Sequence, residues 1–431
     1  MSESIKKAEF GWVMFDWANS SYNLVISTAI FPTFFIAMTD SNLNFANINV
    51  SNSSIYAYTV ATAYLLVCLI SPILSGIADY GGSRKKYMKM FTTSGSLACM
   101  FLFFFNGMST LWIGLLGFLV ATLSHAGSLV FYDSYLADLV PPKRIDKLSA
   151  KGYAYGYIGS VILLVFNIMV IKYPEWFGLS TESIEAHIPA RIAFLSVGIW
   201  WLGFSQFSFA YLPADIKKGE TKVTLYHGIE ELNKAWQRIK RIESLRFYLI
   251  SFFCYSAGVQ TVVYLASPFA QKELKFESSD LIIVILLLQL VAIIGAYLFA
   301  YISKRTNNFF SMKIMLFLWI IICILAYLVQ TQFQFYFIAG FVGMVIGGIQ
   351  ALSRSTYVKL IPKDKNDITC FLSFYDVVYY ISVISGTFIF GLVEQITGDM
   401  RNSVISVTLF FFLGFVFITK VKKDSIINIA A

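Results

Sequence analysis

Charge is scarce in this chain. Only 13% of its 431 residues are charged, against 57% hydrophobic and 17% aromatic. The mean hydropathy of +0.68 lies outside the soluble globular range, which excludes a domain that carries its own polar shell. Cysteine is sparse as well: Cys68, Cys99, Cys254, Cys323 and Cys370 each stand alone in an apolar stretch, with no CxxC. Neither a disulfide framework nor a zinc site is suggested. There is no HExxH, no GxSxG and no nucleophile beside a base, so nothing points to an enzyme. The Gly81-Gly82 turn lacks the strand, the phosphate-cradling helix and the Lys-Ser/Thr pair of a P-loop. No ATP-binding domain, cofactor or metal is expected.

What the chain does have is apolar stretches of about twenty residues, the length that crosses a hydrocarbon core, recurring from end to end. Basic residues fall almost entirely in every second gap: of 33 Lys and Arg, only Lys172, Arg191, Lys272, Lys275 and Arg401 lie in the opposite set. By the positive-inside rule this orients the chain. It also explains the net charge of +8 by lipid topology, without a nucleic-acid partner. Twelve spans are expected, near 12–38, 55–79, 89–107, 111–139, 150–172, 190–213, 246–270, 280–304, 312–330, 334–359, 369–394 and 402–420, with both termini cytoplasmic. The first is too long and too polar in its middle for a cleaved signal peptide, so a retained helix is expected.

The expected organisation is a six-helix bundle over 1–213, a cytoplasmic linker over 214–245 and a second six-helix bundle over 246–431. In the linker Leu225, Ile229, Leu232, Trp236 and Ile239 recur at spacings of three and four, with Glu230, Lys234, Arg238 and Arg241 on the other faces. That pattern predicts an amphipathic helix on the inner membrane surface. The halves echo each other: Leu139-Val140-Pro141 after span four matches Leu360-Ile361-Pro362 after span ten. Parallel repeats predict such an echo.

After span two the chain reads Ser75-Gly-Ile-Ala-Asp79-Tyr-Gly-Gly82-Ser-Arg84-Lys85-Lys86. This resembles the loop signature of the major facilitator superfamily, with Asp79, Gly82 and Arg84 in the matching places and departures at Ser75, usually Gly, and Tyr80, usually basic. Phe15-Asp-Trp-Ala-Asn-Ser20, Val140-Pro-Pro142, Gly347-Gly-Ile-Gln-Ala-Leu-Ser-Arg354, Phe374-Tyr-Asp376 and Phe390-Gly-Leu-Val393 are similar to a narrower branch. It contains the fungal autophagy-related vacuolar amino-acid effluxers and bacterial relatives. The resemblance implies an all-α membrane protein with twelve transmembrane helices in two pseudo-symmetric six-helix halves. It suggests amino-acid release.

A charged side chain in the bilayer costs about 2.5–3.5 kcal/mol on insertion scales. Asp16, Asp133, Arg354 and Asp376 are therefore expected to have reasons for being there. In the family this chain resembles, the inner ends of spans four, five, ten and eleven close against one another. Arg354 paired with Asp133 or Asp376 would then form a cytoplasmic gate. Static ion pairs, direct binding of a substrate carboxylate by Arg354 with an amine on Asp16, and a proton site on one carboxylate stay open beside it. Polar stripes run along four spans: Asp16, Asn19 and Asn23; His125, Ser128 and Tyr132; Ser256, Gln260, Tyr264 and Ser267; Gln350, Arg354 and Tyr357. Spans one, four, seven and ten line the cavity in that family, so these faces suit a small polar solute; interhelical hydrogen bonding is the competing role. Imidazole titrates nearest physiological pH, which makes His125 a proton-coupling candidate.

The expectation is thus a monomeric secondary transporter, moving an amino acid or similar metabolite by alternating access with a proton as possible co-substrate, in a bacterial inner membrane or a vacuolar one. A sugar, drug or lipid-like cargo is the alternative; a non-transporting receptor or scaffold is the alternative of another class.

Overall fold

The computed structural model describes residues 3–45, 48–215, 225–362, 367–397 and 400–422. Among these the architecture is all-α apart from one short hairpin, in which Asn42–Phe45 pairs antiparallel with Ile48–Ser51. The main helices in chain order are α1 Glu3–Met38, α2 Ser54–Gly81, α3 Arg84–Phe101, α4 Met108–Leu139, α5 Pro142–Lys172 and α6 Ile188–Tyr211. After a linker helix, Leu225–Arg241, come α7 Glu243–Leu274, α8 Asp280–Arg305, α9 Asn308–Leu328, α10 Gln332–Leu360, α11 Ile368–Thr397 and α12 Arg401–Thr419. Ten of these are long and apolar enough to cross a membrane. Helices α3 and α7 stand where the third and seventh spans are expected but are more polar; α3 opens on Arg84, Lys85, Lys86 and Lys89.

Local chemistry sets the helix ends. Gly82, at φ +62°, turns the chain between α2 and α3 in the left-handed region that favours glycine. The Asp215 carboxylate accepts from the backbone N–H of Lys85 at 2.7 Å and of Lys86 at 3.0 Å, which satisfies orphan donors at the start of α3. Thr331 and Gln334 form a capping box at the start of α10, and Pro142 begins α5, where its missing N–H costs nothing.

The helices pack as two compact units. The first comprises Met1–Ser71, Gly82–Tyr132 and Tyr155–Lys217. Its interior is aromatic: Phe31 stacks on Phe118 at 4.5 Å, Trp12 on Tyr132 at 4.6 Å and Trp17 on Trp200 at 5.7 Å. Small residues let α1 approach its neighbours. A Cβ on Gly156 of α5 would meet Ser20, and the Ser208 hydroxyl of α6 donates to the Gly11 carbonyl at 2.6 Å. Midway along, α1 becomes a π-helix over Tyr22–Ile30.

The second unit comprises Pro72–Gly81, Asp133–Ala154 and Lys218–Ala431. Its tightest seam joins α8 and α10. A Cβ on Gly343 or Gly347 would strike the carbonyls of Leu288 or Ala292, and one on Gly295 that of Met344. The GxxxG of α10 thus lies on the Ala292-Ala296-Ala300 side of α8, and Ala150 and Ala351 join Ala296 and Ala300 in a buried cluster. The linker helix packs its Gly228, Ala235 and Ile239 inward while Ile229 and Trp236 remain exposed. The expected apolar stripe therefore serves two surfaces.

Candidate functional site

Arg354 sits on α10, only 2% exposed, where backbone hydrogen bonds are consumed within the helix and the guanidinium needs side-chain partners. Of the two expected carboxylates, Asp133 is the one seen to take it: Nη1 donates to Asp133 Oδ1 at 3.1 Å. Nε donates to the Ser149 hydroxyl at 3.1 Å and Nη2 to the Ser149 carbonyl at 3.2 Å. The Ser149 hydroxyl in turn donates to the Ala351 carbonyl at 2.8 Å, which fixes it as an acceptor for Arg354. The guanidinium carbon lies 4.2 Å from the centroid of the Tyr153 ring, a cation–π contact in a desolvated setting. A planar fork is needed to meet this set; an ammonium could not.

Beside it, Asp376 of α11 is partly buried, and its Oδ2 has no hydrogen-bond partner among the described residues. Asp133 acts on it electrostatically. Behind these charges lies a tyrosine layer: Tyr248 donates to the Ser353 carbonyl at 2.7 Å, Tyr255 shares a 2.7 Å bond with the Ser353 hydroxyl, and Tyr357 donates to the Phe371 carbonyl at 2.6 Å. Tyr357 is therefore a packing and positioning residue, fully buried against Tyr375 at 4.9 Å.

A second charge node is one that the sequence pattern does not single out. Asp146 of α5 receives Lys359 Nζ on Oδ1 at 2.6 Å, Asn308 Nδ2 on Oδ1 at 2.9 Å and the Ser303 hydroxyl on Oδ2 at 2.8 Å. Lys359 also donates to Asn308 Oδ1 at 2.9 Å, and Asn308 Nδ2 to the Thr356 hydroxyl at 2.9 Å. The node is buried and its carboxylate is bonded on both oxygens, the condition under which a buried ion pair is tolerable. The signal that could have found it is the repeat: Leu139-Val-Pro-Pro-Lys-Arg-Ile-Asp146 aligns without gaps on Leu360-Ile-Pro-Lys-Asp-Lys-Asn-Asp367.

The loop signature places Asp79 at the start of α11. Asp79 Oδ2 accepts from the Cys370 N–H at 2.8 Å, in the first turn, where orphan donors and the helix dipole favour an anion. Gly82 makes the turn that follows, and Arg84 begins α3.

In the first unit, Tyr132 donates to Asp16 Oδ2 at 2.7 Å. Tyr132 is wholly buried between Trp12 and Phe15, and its hydroxyl holds the Asp16 carboxylate in place. Asn19 is 1% exposed, and its Nδ2 has no hydrogen-bond partner among the described residues. Asn23 is exposed. The π-helix begins at Tyr22, one residue before it. His125 is partly buried, 5.0 Å from the Tyr22 ring and 6.0 Å from Trp201. Tyr22 and Thr122 share a 2.6 Å hydroxyl bond beside it. In the second unit, Gln260 is buried and Gln350 partly buried; the side chains of Tyr264 and Ser267 lie outside the described residues.

Comparison with known proteins gives consistent matches. A family model described as "Vacuole effluxer Atg22 like" matches residues 4–145 and 141–428. The chain is 30% identical over 429 residues to YxiO of Bacillus subtilis (strain 168), an uncharacterized MFS-type transporter, covering 99% of this chain and 97% of that one. It is 25% identical over 397 residues to autophagy-related protein 22 of Kluyveromyces lactis, covering 84% and 78%. Among solved structures, the major facilitator transporter FucP in its outward conformation superposes with a TM-score of 0.73 at 14% identity, covering 98% of this chain and 100% of that one. The proton:xylose symporter XylE does so with a TM-score of 0.69 at 12% identity, covering 98% and 96%. At these identities the structures bear on the fold alone.

Proposed function

Because the chain belongs to the Atg22-like family of major facilitator transporters, an integral multi-pass membrane protein rather than an enzyme, we propose that its cargo is a zwitterionic metabolite, an amino acid in the first instance, moved by alternating access. The observation that carries this reading is the buried pair of Arg354 and Asp133, 3.1 Å apart. Separating such a pair leaves two charges unpaired in a low dielectric, at a cost of several kcal/mol. A zwitterion offsets it by presenting a carboxylate to the Arg354 fork and an ammonium to Asp133, so that no charge is stranded when the gate opens. A sugar offers neither group.

Asp376 is the carboxyl best suited to carry a coupled proton, supported by its buried, unbonded Oδ2 and the neighbouring Asp133. The same reading has a monomer with both termini cytoplasmic. It resides in a bacterial plasma membrane or, in keeping with the family description, a vacuolar one. The test is counterflow in proteoliposomes loaded with mixed amino acids, following each labelled amino acid with and without a pH gradient. Uptake of one or more supports the cargo class, and gradient-driven accumulation supports the proton. No uptake from monodisperse, folded protein rejects the amino-acid reading and leaves the transporter family standing.

A further inference from the structure

Asp146 and Asp367 occupy the same register in the two repeats, yet they acquire their cations differently. Asp146 takes Lys359, whose side chain is 8% exposed and which belongs to the adjacent spanning helix α10. Asp367 takes Arg238 Nη1 at 3.1 Å, from the linker helix, and that side chain is 42% exposed. Three residues beyond Asp367 lies the Cys370 N–H that Asp79 caps. The turn that starts α11 is thus held partly from the linker helix, whereas the turn that starts α5 is held from within the bundle.

The linker helix has two faces. One is docked: a Cβ on Gly76 would strike the Gly228 carbonyl, His227 stacks on Tyr80 at 4.2 Å, and Ala235 and Ile239 are buried, while Trp236, with one side against Phe374 at 5.4 Å, stands at its border. The other is open. Tyr226 is 72% exposed, Ile229 54% and Trp236 42%. At 100° per residue these three and Lys240 share about 80° of the helix circumference. Lys240 Nζ lies 5.0 Å from the Trp236 centroid, and Arg241 and Arg246 are exposed close by. The acidic side chains on this helix, Glu230 and Glu231, are engaged by Lys234 at 3.0 and 2.9 Å, which leaves the basic residues at its C-terminal end in excess. Aromatic and aliphatic side chains in one stripe with a lysine among them match an interfacial helix, its rings at headgroup level and its ammonium at the phosphates.

We propose that the linker helix is seated on the anionic phospholipid of the cytoplasmic leaflet, and that this seating holds Arg238 on Asp367 and so steadies the start of α11. Acidic lipid then acts on one of two repeat-related latches and leaves the other untouched. The inference stands apart from the identity of the cargo.

The test is hydrogen exchange on the full chain reconstituted in phosphatidylcholine with and without phosphatidylglycerol. Acidic lipid should slow exchange in the linker helix and the first turn of α11, by about fivefold for each basic residue that reaches the surface, with the start of α5 unchanged. Ile229→Asp combined with Lys240→Glu should remove that dependence, and the milder Lys240→Gln should reduce it. Asp146→Asn should speed exchange at α5 equally in both lipids. Equal exchange of the wild-type linker helix in the two lipids overturns the proposal. So does the same slowing produced by soluble polyphosphate over neutral lipid, which would make a free polyanion the partner.

Discussion

Ser149 and Arg354 are joined twice, through the serine hydroxyl at 3.1 Å and its carbonyl at 3.2 Å. One residue of α5 thereby fixes both the position and the plane of the guanidinium that faces Asp133. Arg354→Lys keeps the charge but supplies a single ammonium that cannot meet Ser149 twice and Asp133 at once. Counterflow should fall roughly tenfold or more for Lys, corresponding to about 1.4 kcal/mol, and be abolished for Ala, with folded protein confirmed by its elution profile. Wild-type transport by Arg354→Ala would remove Arg354 from both gate and substrate binding.

Asp133→Asn leaves a buried cation without its counter-charge. The expected cost is about 3–5 kcal/mol, read as a lowered melting temperature in detergent. Adding Arg354→Gln should recover most of that loss, because a neutral pair carries no stranded charge. A double variant as unstable as the single would show that the loss does not come from a stranded charge.

Gly347→Val places a side chain against the Ala292 carbonyl of α8, and should abolish recovery of monodisperse protein. Gly340→Ala on the same helix meets nothing within 4 Å and should be tolerated, even slightly stabilising through helix propensity. Comparing their elution profiles and melting temperatures separates a packing effect from a general intolerance of α10.

Asp376→Asn retains hydrogen-bonding capacity and volume but cannot release a proton. Counterflow without a gradient should persist, while accumulation driven by a pH gradient should be lost. If His125→Gln gives that split and Asp376→Asn does not, the proton belongs to the histidine in the first unit.

Much of this architecture was legible in the chain itself. Runs of apolar residues read as helices because a segment surrounded by lipid must satisfy its backbone hydrogen bonds internally. The segregated basic residues marked the turns. The Leu-Val-Pro and Leu-Ile-Pro echo put corresponding turns after spans four and ten. Asp133 and Arg354 stood out because charge in a bilayer is expensive.

Side-chain partnership was decided only by tertiary structure. Asp146 lies in a run of charges that reads as a solvated turn, and only the approach of α8, α9 and α10 buries it with Ser303, Asn308 and Lys359. The change of α1 to π-helical hydrogen bonding at Tyr22 leaves no mark in hydrophobic periodicity. Ile229 and Ile239 belong to one amphipathic pattern, yet one faces out and the other in. Sequence period fixes which residues share a helical face. The rotation and register of each helix against its neighbours come from the sum of all packing contacts, and these decide what that face meets.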